Sequence, residues 1–137
     1  MKNYNKTIYN EKSRPITTYP DKLARYLVDR FDIKKGSRIL DNGCGRGDFL
    51  KGFEHCGMEV YGTDIEQTFE AVYSGINLEE DKLPFPDNYF DVVFSKSVIE
   101  HIHKPENYIN EMYRVLRGGE NYYYGAGLAF LHVYVLR

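Results

Sequence analysis

The chain has 137 residues, 42% of them apolar and 28% charged, with 18 basic against 20 acidic side chains and a formal net charge of −2. That length suits one domain, and the balance excludes wholesale disorder and collagen-like repeats. Two cysteines cannot staple a fold of this size, and the longest apolar-rich run, Leu128 to Leu136, falls well short of the ~20 residues that span a bilayer.

The opening residues lack the apolar stretch of a signal peptide. The expectation is therefore a soluble, single-domain, cytoplasmic protein with Cys44 and Cys56 reduced. Charge is uneven. Residues 1–36 carry nine basic and four acidic side chains, whereas residues 41–111 carry five basic and fifteen acidic ones. A basic leader before an acidic core is not the footprint of a dedicated nucleic-acid binder, and an acidic core tolerates a cationic ligand better than a phosphate-rich one.

Residues 1–19 are polar and read as an irregular arm ahead of a core spanning 20–137. Pro20-Asp21 opens a helical pattern with Leu23, Tyr26, Leu27, Arg30 and Phe31 at three- and four-residue spacing, closed near Lys34 to Gly36. Ser37 to Asp41 reads as a strand running into a glycine turn. Gly47 to Cys56 follows as an amphipathic helix, with Phe49, Leu50 and Phe53 on one face. A second strand covers Met58 to Thr63, a short helix Ile65 to Tyr73, and a loop Asn77 to Asn88. Phe90 to Ser95 is a continuous apolar strand of the kind buried on both faces of a parallel sheet. Pro105 to Leu116 is a helix turning Tyr108, Ile109, Met112, Val115 and Leu116 inward, stopped by Gly118-Gly119. Strands alternating with helices predict an α/β doubly wound, mostly parallel sheet, whose ligands sit beyond the carboxyl ends of the strands.

The run ILDNGCGRG puts Asp41 at a strand end and glycine at positions 43, 45 and 47. Glycine is needed where backbone takes positive φ or where a side chain would block a ligand. The dinucleotide fingerprint G-x-G-x-x-G/A fails at Asp48, where its third small residue belongs. This disfavours a nicotinamide oxidoreductase; a merely glycine-rich tight turn is the plain alternative. Asp64, closing the second strand, can accept ribose hydroxyls, and with Gln67 it also fits a capping box for the next helix.

In this order and spacing, ILDNGCGRG, VYGTDIE, LPFPDNYFDVVFSKSVIEHI and YRVLRGG make residues 36–119 resemble a class I S-adenosylmethionine-dependent methyltransferase of the type 11 group, over about 60% of the chain. The resemblance implies a Rossmann-like fold, S-adenosyl-L-methionine as cofactor, and methyl transfer by direct displacement to an unidentified small-molecule or biopolymer acceptor. It implies that Asp41, Gly43, Gly45 and Gly47 lie along the methionine and ribose, that Asp64 holds the ribose, and that Ile65 packs on adenine. Asn77 and Leu78 are the preferred match for the adenine edge, with Glu79 or Glu80 as alternatives. Asn in place of the usual Asp is a departure, although its side-chain oxygen still accepts. Ser95 and Lys96 would line the methionine side. His101 falls where the family often places E-H near the acceptor, as general base or as a structural residue of the loop. No metal is expected, since Glu100, His101 and His103 lack a fourth ligand at a recognisable spacing.

The family fold continues after R-G-G with a further strand, a helix and an antiparallel hairpin, and residues 120–137 do not follow that pattern. The expectation is a truncated or frame-shifted chain with its sheet incomplete at the C-terminal edge. Such an edge would favour self-association, and the alternative function is a catalytically inactive cofactor-binding fragment acting through association.

Overall fold

The computed structural model describes residues 15–67 and 70–118 together with the backbone of 133–136. Most of the expected N-terminal arm and of the tail after Gly118 lies outside the described residues.

Helix α1 (Tyr19–Arg30) carries Pro20 in its first turn, where the missing N–H costs nothing, and buries Ala24 and Leu27. It ends earlier than its apolar spacing predicts. Phe31 and Ile33 donate back to the Leu27 and Val28 carbonyls, and Asp32 takes a left-handed φ of 49° that breaks the ladder. Strand β1 (Arg38–Asn42) then enters the sheet, followed by α2 (Asp48–His55), β2 (Glu59–Thr63), β3 (Val72–Tyr73), β4 (Val92–Lys96), a 3₁₀ turn (Ile99–His101) and α3 (Pro105–Val115). Strand β5 (Val133–Leu136) closes the series.

The sheet order is β3-β2-β1-β4-β5, with β1 to β4 all parallel. Asp41 stands beside Gly62 on one side and Phe94 on the other, so the carboxyl ends of β1, β2 and β4 are level. Helices cover both faces. Ala24, Leu27 and Phe53 from α1 and α2 pack against Ile39, Val92 and Phe94, whereas Tyr108, Met112 and Val115 from α3 pack against Leu40 and Val93. The period-2 alternation of β1 and β4 sends neighbouring residues into these two cores. This is the doubly wound, Rossmann-like architecture.

Three local expectations are corrected. Among the described residues between Ile65 and Tyr73 there is no helix: Ile65 and Glu66 form a bend, and Val72–Tyr73 pairs with Gly62 and Thr63 as β3. The Asp64 carboxylate, instead of capping a helix, accepts from the Glu66 N–H in an Asx-type turn. Ile109 is 36% exposed, because it shares an outward face of α3 with Tyr113 four residues on. At the C-terminal side of the sheet, strand β5 runs antiparallel along β4, with Val93 opposite Leu136 and Lys96 opposite Val133.

A half-buried arginine fixes the long loop before β4. Arg114, 18% exposed, donates to the Leu83 and Phe85 carbonyls at 3.0 and 2.9 Å and pairs with Asp87 and Glu111. Glu111 also accepts from the Leu83 N–H at 2.7 Å, and these donors hold its carboxyl below the usual carboxylate range.

Candidate functional site at the strand ends

The chain leaves β1 through a bend made of Gly43 to Gly47. Gly43 and Gly45 adopt φ of 86° and 54°, a region costly for any residue with a Cβ, and Gly47 caps α2 at 82°. The two first glycines answer different needs. A Cβ at Gly43 would lie 2.7 Å from Val98 Cγ2, so this position serves close packing within the chain. At Gly45 nothing stands within 4 Å, and the space beside the bend is open.

The donors of the bend are turned inward. Gly43 and Cys44 donate to the Thr63 carbonyl at 3.0 and 2.9 Å, Gly45 to Asp64 Oδ2 at 2.8 Å, and Gly47 to the Cys44 carbonyl at 3.0 Å. A phosphate-cradling turn presents such N–H groups to its ligand. Asp48, at the first position of α2, adds a carboxylate that grips the Arg46 guanidinium through Nε and Nη2. The result is a seat unsuited to a pyrophosphate.

Two further carboxylates flank it. Asp64 extends from the end of β2 and ties to Gly45 through Oδ2 and to Glu66 through Oδ1 at 3.2 Å, so it faces the bend directly. Asp41 is 2% exposed on the α1/α2 face. Burial raises its carboxyl to about 8; the nearby Asp64 pushes in the same direction and Lys96 pulls it back. Lys96 leaves β4 on that same face, its Nζ 5.3 Å from the Phe49 ring centroid and 5.8 Å from that of Tyr19. The Cys44 thiol beside them is pushed far up by burial and by both carboxylates, which makes it inert.

The loop after β3 folds onto this end of the sheet. Gly75 and Ile76 donate to the carbonyls of Ile65 and Asp64. Ile65 stands 57% exposed beside them, and the Leu78 side chain reaches within 3.4 Å of a Cβ built at Gly43. Asn77 uses Oδ1 to accept from the Glu79 N–H and its own N–H to reach Asp81, closing a tight turn. Glu79 accepts from the His103 and Lys104 N–H groups at the start of α3, which occupies it structurally. Glu80 is exposed.

Ser95 and Lys96 point to opposite faces, as neighbours in a strand must. Ser95 is fully buried: its hydroxyl donates to the Asn42 carbonyl at 2.7 Å and accepts from Tyr108 at 2.6 Å. Its side chain therefore ties β4 to β1 and α3, and only Lys96 of the pair reaches the Asp41 face. His101 is exposed in the 3₁₀ turn, three residues after the Val98 that covers Gly43. Among the described residues no group of three metal-ligating side chains gathers.

Sequence reasoning missed Thr63, whose carbonyl anchors the bend and whose hydroxyl donates to Asn42 Oδ1 at 2.7 Å and accepts from the Gly43 N–H. It also missed Tyr19 and Phe49 as a wall around Lys96. Their signal was tertiary: each is an ordinary apolar position of its own helix.

Together these residues fit an adenosyl sulfonium rather than a dinucleotide. Asp41 and Asp64 stand on both sides of a bend whose Gly43, Cys44, Gly45 and Gly47 N–H groups are committed, and the space beside Gly45 is open.

A methyltransferase domain family of type 11 matches residues 40–123. The chain is 32% identical over 108 residues to the ubiquinone/menaquinone biosynthesis C-methyltransferase UbiE of Neisseria meningitidis, covering 69% of this chain and 44% of that protein. Among solved structures it is similar to a SAM-dependent methyltransferase from Archaeoglobus fulgidus, at 26% identity and TM-score 0.59 over 82% of this chain and 53% of the other. It is also similar to the [4+2]-cyclase SpnF, at 26% identity and TM-score 0.59 over 72% and 42%. The chain thus spans less than half the length of the curated relatives it matches.

Proposed function

Because the chain belongs to the type 11 methyltransferase domain family, matched over residues 40–123, we propose that it carries the cofactor-binding core of an S-adenosyl-L-methionine-dependent methyltransferase acting in the cytoplasm. The observation that carries this reading is the Asp64 carboxylate facing the glycine bend, 2.8 Å from the Gly45 N–H, with the buried Asp41 beside it. When bound, the cofactor supplies an activated methyl group, transferred by direct displacement to an acceptor whose identity stays open.

The chain's own part is to bind, orient and exclude water. Asp64, which already accepts from the Gly45 and Glu66 N–H groups, accepts the ribose hydroxyls. Asp41, kept protonated by burial in the free protein, supplies negative charge at the methionine end once the ligand's ammonium favours its ionised form. Gly45 leaves the bend bare, Ile65 and Leu78 give apolar contact for the adenine, and Asn77 offers a side-chain oxygen to its amino group. His101 serves as general base if the acceptor reaches the 3₁₀ turn. The likeness to SpnF, a cyclase, means that the fold alone does not choose the reaction.

Calorimetric titration with S-adenosylhomocysteine, in parallel with NADH, tests the reading. Saturable binding of the first and none of the second is expected. A folded sample that binds only NADH, or neither, contradicts it.

A further inference from the structure

Away from the bend, the β3 side of the sheet holds a cavity of about 350 Å³. It exists because β3 is short. Only Gly62 and Thr63 of β2 pair with it, and the chain enters β3 through Ala71, whose carbonyl accepts from the Gly62 N–H at 2.9 Å. Among the described residues no strand pairs with Glu59 to Tyr61 on that side. Glu59, Tyr61, Glu70 and Tyr73 line the resulting notch, together with the apolar Val60, Ala71 and Val72. No residue from Asp41 to Gly47 borders it.

The lining offers two aromatic rings and two carboxylates, and no base. Tyr61 and Tyr73 project to the same face of the sheet, since Tyr73 stands opposite Thr63, two residues on from Tyr61. Phe85 meets both edge-to-face, at 6.0 and 4.9 Å between centroids, and so fixes them. The neighbouring surface already shows what such groups hold. Arg38 Cζ lies 4.4 Å from the Tyr89 ring centroid and its Nε 3.6 Å from Glu59 Oε2, a cation between an aromatic face and a carboxylate. The notch repeats that pairing with Tyr61, Tyr73 and the exposed Glu70, and no basic side chain lines it. A hard metal ion is poorly served there, because it needs about six oxygen ligands. A primary ammonium wants three hydrogen-bond acceptors, and Glu59 already accepts from Tyr61 and faces Arg38. An alkylated ammonium asks for none, and its methyl groups suit the valine and alanine part of the lining.

We propose that this notch is a second ligand site, separate from the glycine bend, and that it takes a small alkylated ammonium ion against the rings of Tyr61 and Tyr73, with Glu70 as the counter-charge. The inference goes beyond the adenosyl reading and does not depend on it, since no residue of the bend takes part.

The test is a titration followed by NMR on the intact chain, labelled at its tyrosine rings and backbone amides. The probes are choline, its neutral isostere 3,3-dimethyl-1-butanol, and ethanolamine, which lacks the methyl groups. Choline should shift the Tyr61 and Tyr73 rings and the Val60 and Ala71 amides saturably. It should bind at least about fivefold more tightly than either comparator. Tyr73→Leu should weaken choline about threefold to thirtyfold, the fold-change of a cation–π contact, and Glu70→Gln about twofold to fivefold. Both variants should lower the preference for choline over its neutral isostere. Tyr73 is 43% exposed and Glu70 lies on the surface, and an unaltered amide spectrum elsewhere establishes that each variant is folded. The proposal is overturned if choline binds no more tightly than the isostere or ethanolamine, if its shifts fall on the Gly43 to Gly47 amides instead, or if neither variant lowers the preference. A lysine-rich peptide that saturates the notch where choline does not would make it a protein-docking surface, and overturns the proposal as well.

Discussion

Replacing Asp64 by alanine removes two hydrogen bonds at once, from the Gly45 N–H at 2.8 Å and the Glu66 N–H at 3.2 Å. A hydrogen bond to a charged acceptor contributes about 1.5–3 kcal/mol, and the longer Glu66 contact belongs at the bottom of that range or below it. Asp64 is half-buried, so water recovers part of the loss, and a net stability cost of about 2 kcal/mol follows. For a domain of this size that lowers the melting temperature by roughly 6–10 °C. Binding of S-adenosylhomocysteine should weaken as well, by about 1–3 kcal/mol or roughly 5- to 150-fold, because the ribose loses its acceptor. Asp64→Asn separates the two effects. It can keep an oxygen on the Gly45 N–H and so retain most of the stability, yet it loses the negative charge. Differential scanning calorimetry and isothermal titration on the three proteins give both numbers. If Asp64→Ala leaves stability and affinity within experimental error of the unaltered chain, the carboxylate neither braces the bend nor holds the ligand, and the reasoning is wrong.

Other expectations follow from the same geometry. Asp41 is raised from 3.8 to about 8, so between those pH values the folded protein keeps a proton that the unfolded chain has lost; this contribution to stability is present below pH 4, falls as pH rises towards 8 and flattens above. A ligand ammonium favours the ionised form, so binding at pH 7 should release a proton and tighten towards pH 8, visible as buffer-dependent binding heats that Asp41→Asn abolishes; equal heats in buffers of different ionisation enthalpy contradict it. Gly45→Ala should cost about 1 kcal/mol of stability through its positive φ, yet weaken S-adenosylhomocysteine at least about tenfold by placing a methyl beside the bend. Gly62→Ala should cost about 1–3 kcal/mol through overpacking, since its Cβ would stand 2.6 Å from Leu50 Cδ1 and 2.8 Å from Cys44 Sγ; an unchanged melting curve refutes that. Arg114→Ala, which leaves the Leu83 and Phe85 carbonyls and Glu111 without this donor, should cost about 1–3 kcal/mol in denaturant unfolding.

The parallel core was legible because its signals are local. Buried strands such as Phe90 to Ser95 read as unbroken apolar runs, and the Asp41 to Gly47 spacing is a backbone requirement written directly in glycine. The stretch after Asp64 was not. Asp64 and Gln67 spell a capping box, but a carboxylate that also answers the Gly45 N–H from 19 positions away has a tertiary use that no local pattern shows. Ser95 and Lys96 looked like one wall of the site until strand alternation sent them to opposite faces. Ile109 matched the helical period, yet it lies at the rim of the stripe, where exposure depends on the neighbouring layer. The sheet was expected to be incomplete at its C-terminal edge because residues 120–137 depart from the family pattern, and within that stretch Val133–Leu136 pairs along β4 in the opposite direction.

Ultraviolet crosslinking of methyl-labelled S-adenosyl-L-methionine to the intact chain, followed by peptide mapping, puts the central claim to its most direct test. Label on the peptides spanning the Asp41–Gly47 bend and the Glu59–Ile65 strand end, displaced by excess S-adenosylhomocysteine, is the predicted result. Label that falls elsewhere, or that competitor does not displace, would contradict the assignment of this bend as the cofactor seat.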